Sequence, residues 1–294
     1  MKIIDGKTIC AEVKSEIAAE IAQIIDSGQR APHMAAILVG HDGASETYVA
    51  SKDKNCKAVG MTSSLYRYED NVSEKELLEV INFLNNDDEV DGYIVQLPLP
   101  KHIDADKVMA AVNPDKDIDG FSPSNLGKLV MGEDTFIPAT PCGIMELIRR
   151  AGIETVGKNC VVLGRSNIVG TPMALLLSRN KPDANATVTL CHSKTQDLAE
   201  ITRRADILVA AIGKPGFVKA DMVKEGAVVI DVGIHRIADE SQPNGFRIMG
   251  DVDFPAVSKK CSAITPVPGG VGAMTIAALL MNTMKAYHKR FPKK

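Results

Sequence analysis

With 294 residues, 45% of them hydrophobic and 24% charged, the chain is sized for two domains that need no disulfides to hold a core. A net charge of −3, 4% aromatics and no Trp exclude the basic field of a nucleic-acid binder and argue against an aromatic stacking platform. No apolar run is long enough to span a bilayer, and the opening Met1-Lys-Ile-Ile-Asp-Gly-Lys7 lacks the apolar stretch of a signal peptide, so a cytoplasmic protein is expected.

In chain order, Ile9, Val13, Ile17, Ile21 and Ile24 recur at helical spacing, and Gly28 ends that helix. Residues 34–39 form an apolar run of strand length that stops at Gly40 and His41. After the turn residues Asp42 and Gly43, a helix starts at Ala44 or Ser45 and is closed by Gly60. Tyr48 and Lys52 are four residues apart on it, hence on one face. A phenol beside an amine at the end of a strand suits acid–base work if burial or a nearby cation lowers the lysine pKa; a surface lysine laid on a tyrosine is the plainer alternative. Residues 62–68 alternate like a strand, and Ser73 with Glu76 is a capping box opening a helix through Leu77, Val80, Ile81 and Leu84. The run Asp91-Gly-Tyr-Ile-Val-Gln-Leu-Pro-Leu-Pro100 is a strand that prolines force out of the sheet. Gln96 at its end falls on the carboxyl rim, where open α/β sheets bind ligands. In the acid-rich loop Asn113-Pro-Asp-Lys-Asp-Ile-Asp-Gly-Phe121, most carboxylates are read as turn formers. Asp119, between Ile118 and Gly120-Phe121, is the one expected to point inward, able to grip paired N–H groups.

The second half opens at Thr140-Pro-Cys-Gly143 with a helix to Arg150. An apolar strand then runs into Gly164, and an apolar helix carrying Met173, Leu175, Leu176 and Leu177 follows Gly170. Strand, glycine turn, helix is the phosphate-cradling order of a dinucleotide fold, although Arg165 and Ser166 interrupt the usual glycine spacing. Apolar strands recur at 186–191, 207–212 and 227–232, so a doubly wound sheet is expected. The second strand of the dinucleotide fold, counting the one that runs into Gly164 as the first, ends Cys191-His-Ser-Lys194 and lacks the acid that holds a ribose 2′-hydroxyl; a hydroxyl, a cation and Arg165 suit the 2′-phosphate of NADP instead. His192 is read as a polar residue at a strand end. Ile264-Thr-Pro-Val-Pro-Gly-Gly-Val-Gly-Ala-Met-Thr275 has the prolines and glycines for close approach to a ligand, and leads into an apolar helix reaching about Tyr287 that packs back on the first domain. The six cysteines show no C-x-x-C pair and the six histidines are dispersed, so neither a disulfide framework nor a metal centre is expected.

Six of these stretches, in this order, resemble one family: Tyr48-Val-Ala-Ser-Lys52, Gln96-Leu-Pro-Leu-Pro100, Asp117-Ile-Asp119-Gly, Gly164-Arg-Ser-x-x-Val-Gly-x-Pro172, Gly250-Asp-Val-Asp-Phe254 and Pro268-Gly-Gly-Val-Gly-x-Met-Thr275. The family is the bifunctional methylenetetrahydrofolate dehydrogenase/methenyltetrahydrofolate cyclohydrolase. One departure is Ala273, where the family commonly has Pro. The ATP-dependent ligase fused to some relatives is not expected, since no G-x-x-x-x-G-K-[ST] run occurs in these 294 residues.

The resemblance implies a two-domain α/β protein. Residues 1–140, completed by a C-terminal helix at 273–290, would form a small catalytic domain, and 141–272 a Rossmann-like NADP domain. It implies NADP-dependent oxidation of 5,10-methylenetetrahydrofolate, then hydrolysis of the methenyl product to 10-formyltetrahydrofolate. Asp119 would hold the pterin edge, Lys52 would move the proton of the attacking water, Gln96 would orient Lys52, and Tyr48 would stack on or bond the substrate. Leu97, Pro268, Gly269 and Gly272 would line the folate, and Gly164, Arg165, Ser166, Ser193, Ile234 and Thr275 the cofactor. A homodimer is implied too. Two other readings fit the motifs less fully: an NADP-dependent dehydrogenase of another small metabolite, and a non-catalytic folate or dinucleotide sensor, for which a Tyr48/Lys52 pair has no use.

Overall fold

The computed structural model describes residues 1–242 and 245–292. The chain divides into two compact units, Glu12–Ala139 with Ile276–Lys294 (the first unit) and Met1–Ala11 with Thr140–Thr275 (the second). This differs at the start from a 1–140 domain. The short strand β1 (Lys2–Ile3) pairs in parallel with a strand at Ala263–Ile264, and that pairing counts the opening residues with the second unit. Helix α1 (Gly6–Asp26) contributes to both units.

The first unit is built on three parallel strands, β2 (His33–Val39), β3 (Thr62–Tyr68) and β4 (Gly92–Val95), in the order β3-β2-β4. Between them run α2 (Gly43–Ala58) and α3 (Glu74–Asn86). Every β2 residue except His33 is buried, as a central strand covered on both faces requires. Its side chains alternate. Ala35, Ile37 and Val39 join Leu77, Ile81 and Leu84 of α3, whereas the Met34 sulfur lies 3.7 Å from Cys56 of α2. The capping box at Ser73 and Glu76 is formed with both of its bonds. Two helices follow that the sequence reading did not separate from loop, α4 (Ala105–Ala111) and α5 (Pro123–Met131), each opened by a capping side chain, Asp104 and Ser122.

The second unit begins with α6 (Ala139–Arg150) and carries β5 (Asn159–Leu163), α7 (Gly170–Ser178), β6 (Thr187–Cys191), α8 (Leu198–Thr202), β7 (Ile207–Ala210) and β8 (Val228–Asp231). A hairpin of β9 (His235–Ala238) and β10 (Phe246–Met249), a short α9 (Phe254–Val257) and β11 (Ala263–Ile264) precede α10 (Val271–Arg290). The six-stranded sheet has the order β1-β11-β8-β7-β5-β6 with every pair parallel. The chain steps from β5 to β6 on one side and returns to β7 on the other. That reversal is the switch point of a doubly wound sheet, where ligands sit beyond the strand ends. The core gathers Val161, Leu163, Leu208, Ala210, Val229 and Ile264.

Candidate active site

Helix α2 starts at Gly43, with Asp42 capping it by accepting from Ser45 N. Its inward stripe is Ser45, Val49 and Cys56, all buried. Lys52 falls on the same stripe, three residues beyond Val49 and four before Cys56, at the spacing of one helix face. Its amine is therefore carried inward, where Nζ donates to Gln96 Oε1 at 3.0 Å. Burial pulls the ammonium below the usual lysine range, and Asp119 partly opposes that shift. Tyr48 sits one turn earlier on the flank, 49% exposed, with no hydrogen bond to Lys52, so the structure brings the two onto one face without pairing them.

Gln96 is fixed at both ends. Its backbone N–H continues the sheet by donating to Ile37 O at 2.9 Å, and its Nε2 donates to Leu97 O at 2.7 Å. The amide oxygen is left to face Lys52, an orientation the Leu97 carbonyl dictates. The Leu97–Pro98 peptide is cis. Because β2 sits between β3 and β4, the start of α2 and Gln96 lie at a second switch point, within the first unit.

Asp119 comes to this rim because residues 116–118 run alongside β4, with a parallel bridge between Tyr93 and Asp117. The three acids of the loop have different fates. Asp115 is exposed and pairs with Lys289 at 2.9 Å. Asp117 is buried and accepts from Gly120 N, Phe121 N, Ser122 N and Asn125 Nδ2 at 2.7–3.2 Å, so it holds the turn together. Asp119 has no hydrogen-bond partner among the described residues, and burial pushes its carboxyl up to about 6, with Lys52 pulling the other way and Asp117 adding to the rise. Gly120 has φ +71°, and a Cβ there would lie 2.7 Å from Pro138 N, so only glycine allows this turn against the 136–138 backbone. A half-buried lysine, an amide orienting it and an acid with free acceptors make a site for a polar, N–H-rich ligand and for proton transfer at it.

The other predicted residues lie in the second unit. Gly164 leaves β5 with φ +107°, and a Cβ there would lie 2.0 Å from Ala211 O, so the turn passes directly against the β7 strand end. Gly170 opens α7 close enough that its own Cβ would meet Gly164 O at 1.9 Å. Ser166 Oγ accepts from Val169 N at 3.1 Å, tightening the turn. Leu163 is in register with Cys191, so Arg165 and Ser166 stand at the strand end next to Ser193 and Lys194. Arg165, Ser166, Ser193 and Lys194 are all exposed, and among the described residues the Arg165 and Lys194 cations have no acidic partner. This donor set fits a dinucleotide carrying a 2′-phosphate: two unpaired cations, two hydroxyls and no competing acid. Ile234 is 46% exposed, and its Cδ1 would be 2.9 Å from a Cβ at Gly272. Thr275 Oγ1 is 3.1 Å from Thr140 Oγ1. Lys7 N donates to Gly269 O at 3.1 Å, and the Val267–Pro268 peptide is cis.

Several residues of this architecture escaped the sequence reading. Asp251 is fully buried and accepts from Ile212 N, Gly213 N, Lys214 N and His235 Nε2 at 2.7–2.9 Å. It thereby holds the loop after β7 at the switch point. Asp231, which burial raises to about 6, accepts from Gly233 N, Asp251 N and Val252 N at 2.8–3.0 Å. For Asp251 the signal available was Gly250-Asp-Val-Asp253 itself, two acids alternating with small or apolar residues. Lys116 is buried, with Nζ donating to Leu84 O at 2.7 Å and to Asp87 O, where it satisfies carbonyls at the end of α3. Among the described residues no group of three His, Cys, Asp or Glu is placed to hold a metal ion, and no helix is long and apolar enough to cross a membrane.

Residues 4–119 match the family model described as tetrahydrofolate dehydrogenase/cyclohydrolase, catalytic domain, and residues 138–291 match that of its NAD(P)-binding domain. The chain is 58% identical over 289 residues to the bifunctional protein FolD of Bacteroides fragilis, covering 98% of this chain and 99% of that one. Its fold is similar to that of the crystal structure of the bifunctional enzyme FolD, methylenetetrahydrofolate dehydrogenase/cyclohydrolase, from Campylobacter jejuni, with TM-score 0.92, 47% identity and 99% of each chain covered. It is equally similar, at TM-score 0.92, 38% identity and 99% and 98% coverage, to the Trypanosoma brucei dehydrogenase-cyclohydrolase solved with NADP cofactor and inhibitor. On two family matches that together span nearly its whole length, the chain belongs to the tetrahydrofolate dehydrogenase/cyclohydrolase family.

Proposed function

We infer that the protein is a bifunctional one-carbon folate enzyme. It oxidises 5,10-methylenetetrahydrofolate with NADP to the 5,10-methenyl compound and hydrolyses that to 10-formyltetrahydrofolate. The observation that carries the hydrolytic half is the Lys52–Gln96 hydrogen bond at 3.0 Å, an oriented amine that hydride transfer alone has no need of. NADP supplies the hydride acceptor. The chain's own residues do the rest.

In this reading Asp119 accepts N–H bonds from the pterin edge and fixes the ring. Leu97, and Pro268, Gly269 and Gly272, contact the folate, and Tyr48 stacks on or bonds it. Lys52 takes a proton from the water that adds to the methenyl carbon and returns one to the departing nitrogen. Gln96 keeps the amine aimed and prevents it from pairing elsewhere. Gly164, Arg165, Ser166, Ser193, Ile234 and Thr275 contact the cofactor, with Arg165 on the 2′-phosphate. The enzyme works in the cytoplasm as a homodimer, which light scattering on the purified protein tests.

One spectrophotometric experiment tests the whole reading: methylenetetrahydrofolate and NADP are mixed with the enzyme, and NADPH and methenyl absorbance are followed together. Both activities are expected; NADPH without decay of the methenyl signal beyond its spontaneous rate would leave only a dehydrogenase. The Arg165 assignment has its own test. A charge-assisted hydrogen bond is worth about 1.5–3 kcal/mol, so Arg165→Ala should raise KM for NADP roughly ten- to a hundredfold while barely changing that for NAD. Equal efficiency of the wild type with the two cofactors would remove this role.

A further inference from the structure

Asp119 makes no hydrogen bond of its own among the described residues, so its placement depends on the backbone around it. That backbone is held from three sides, all within the first unit. Asp117 gathers the turn that follows, Lys116 anchors the incoming segment three residues earlier to the end of α3, and Asn282 reaches in from α10. Asn282 Nδ2 donates to Ile118 O at 2.7 Å and to Ile137 O at 3.0 Å. Both protons of one amide nitrogen are thus used, each on a different segment. The Ile118 carbonyl belongs to the peptide that leads into Asp119. The Ile137 carbonyl belongs to the stretch against which Gly120 is pressed.

Asn282 is 5% exposed and sits among Ala278, Leu279, Leu280 and Ala286, all buried; its polar neighbour Thr283 is satisfied within the helix, donating to Leu279 O at 2.8 Å, whereas Asn282 reaches outside it. An amide in such a place is costly unless its hydrogen bonds are made, and an aliphatic residue of the same volume would pack there without that demand. Helix packing alone gives no reason for an amide. A need to lock the two backbone segments that flank Asp119 does.

We propose that Asn282 is a positioning residue for folate binding: by bridging the Ile118 and Ile137 carbonyls it fixes the height at which the Asp119 carboxylate meets the pterin. The inference rests on the reading of Asp119 as the pterin ligand. Asn282 itself touches no substrate. Because acceptor geometry must hold to within a fraction of an ångström, loss of the bridge should weaken folate binding without touching the proton chemistry at Lys52.

The test uses hydrolysis of methenyltetrahydrofolate without NADP, which reads the folate side alone. Asn282→Leu, which keeps the volume and removes both donors, should raise the folate KM roughly tenfold and change kcat by less than about threefold, with KM for NADP in the dehydrogenase assay unchanged. In an Asp119→Ala background the same substitution should raise the folate KM no further, the sign that one residue acts through the other. If Asp119→Ala alone leaves KM unchanged, the reading of Asp119 falls and the inference with it. If Asp119→Ala raises KM but Asn282→Leu does not, the inference alone falls. Effects that multiply in the double variant also overturn it, since they mean general loosening. Should Asn282→Leu fail to fold, Asn282→Ser, which keeps one donor, should give an intermediate KM; a wild-type KM there counts against the proposal.

Discussion

Lys52→Met is expected to abolish hydrolysis of methenyltetrahydrofolate while leaving measurable dehydrogenase activity, so that the methenyl compound accumulates from methylenetetrahydrofolate and NADP. The two steps make different demands. Hydride transfer is driven by electron release from the folate nitrogens and requires positioning more than any acid or base. Hydrolysis requires removal of a proton from the water adduct and delivery of one to the departing nitrogen, help typically worth about 10²–10⁴-fold. Lys52 is suited to it because its amine is held by Gln96 and drawn below the usual lysine range by burial. A cationic methenyl substrate should lower it further. Lys52→Arg should fail in the same way, since a guanidinium does not deprotonate near neutral pH. The hydrolysis rate of the wild type should climb with pH as Lys52 loses its proton, and the Met variant should lack that limb. Stopped-flow absorbance of the methenyl band gives both results. Hydrolysis at the wild-type rate by the Met variant would show that Lys52 is not the proton carrier.

Replacing Asp119 should disable both activities together, because both begin with folate binding. Asp119→Ala should raise the folate KM roughly ten- to a hundredfold, the value of a charge-assisted contact. Asp119→Asn should do nearly the same, since an amide presents a donor where the carboxylate presents a second acceptor. Stability should move the other way. The folded-state carboxyl sits at about 6, against an ordinary 3.8, because burial disfavours its ionised form. A group raised in this sense contributes stability below its unfolded pKa and loses it as pH rises through the folded one, here between about 4 and 6. At pH 7 the ligand-free enzyme therefore carries the full cost of the buried charge. Asp119→Asn should melt at a higher temperature than wild type at pH 7, with the difference vanishing near pH 4. Calorimetry at the two pH values, beside folate KM, separates a binding residue held at a cost from a turn residue. Lower stability of the Asn variant with unchanged KM would return Asp119 to the second class.

Much of this was legible from local pattern. The capping box of α3, the apolar strand running into Gly164, the acid-free end of β6 and the terminal helix are all set by residues close together in sequence, where propensity and period act directly. The spacing of Ser45, Val49, Lys52 and Cys56 even contained the inward turn of Lys52, as one helix stripe. What only the tertiary structure decided is how chemically alike residues were divided between roles. Asp117 and Asp119 are two apart in one short motif, and no local rule tells a turn-former from a ligand. The difference is made by donors at 120–125, which saturate Asp117, and by the amide of Asn282, which holds the peptide before Asp119 from 164 residues away. The same holds for Gln96, whose partner Lys52 is 44 residues distant, and for β1, two exposed residues with no periodicity until β11 offers them a parallel edge. Hydrophobic period specifies which face of an element is buried. The partner a polar group finds there depends on how distant segments close around it, and that closure leaves Asp119 without a donor among the described residues.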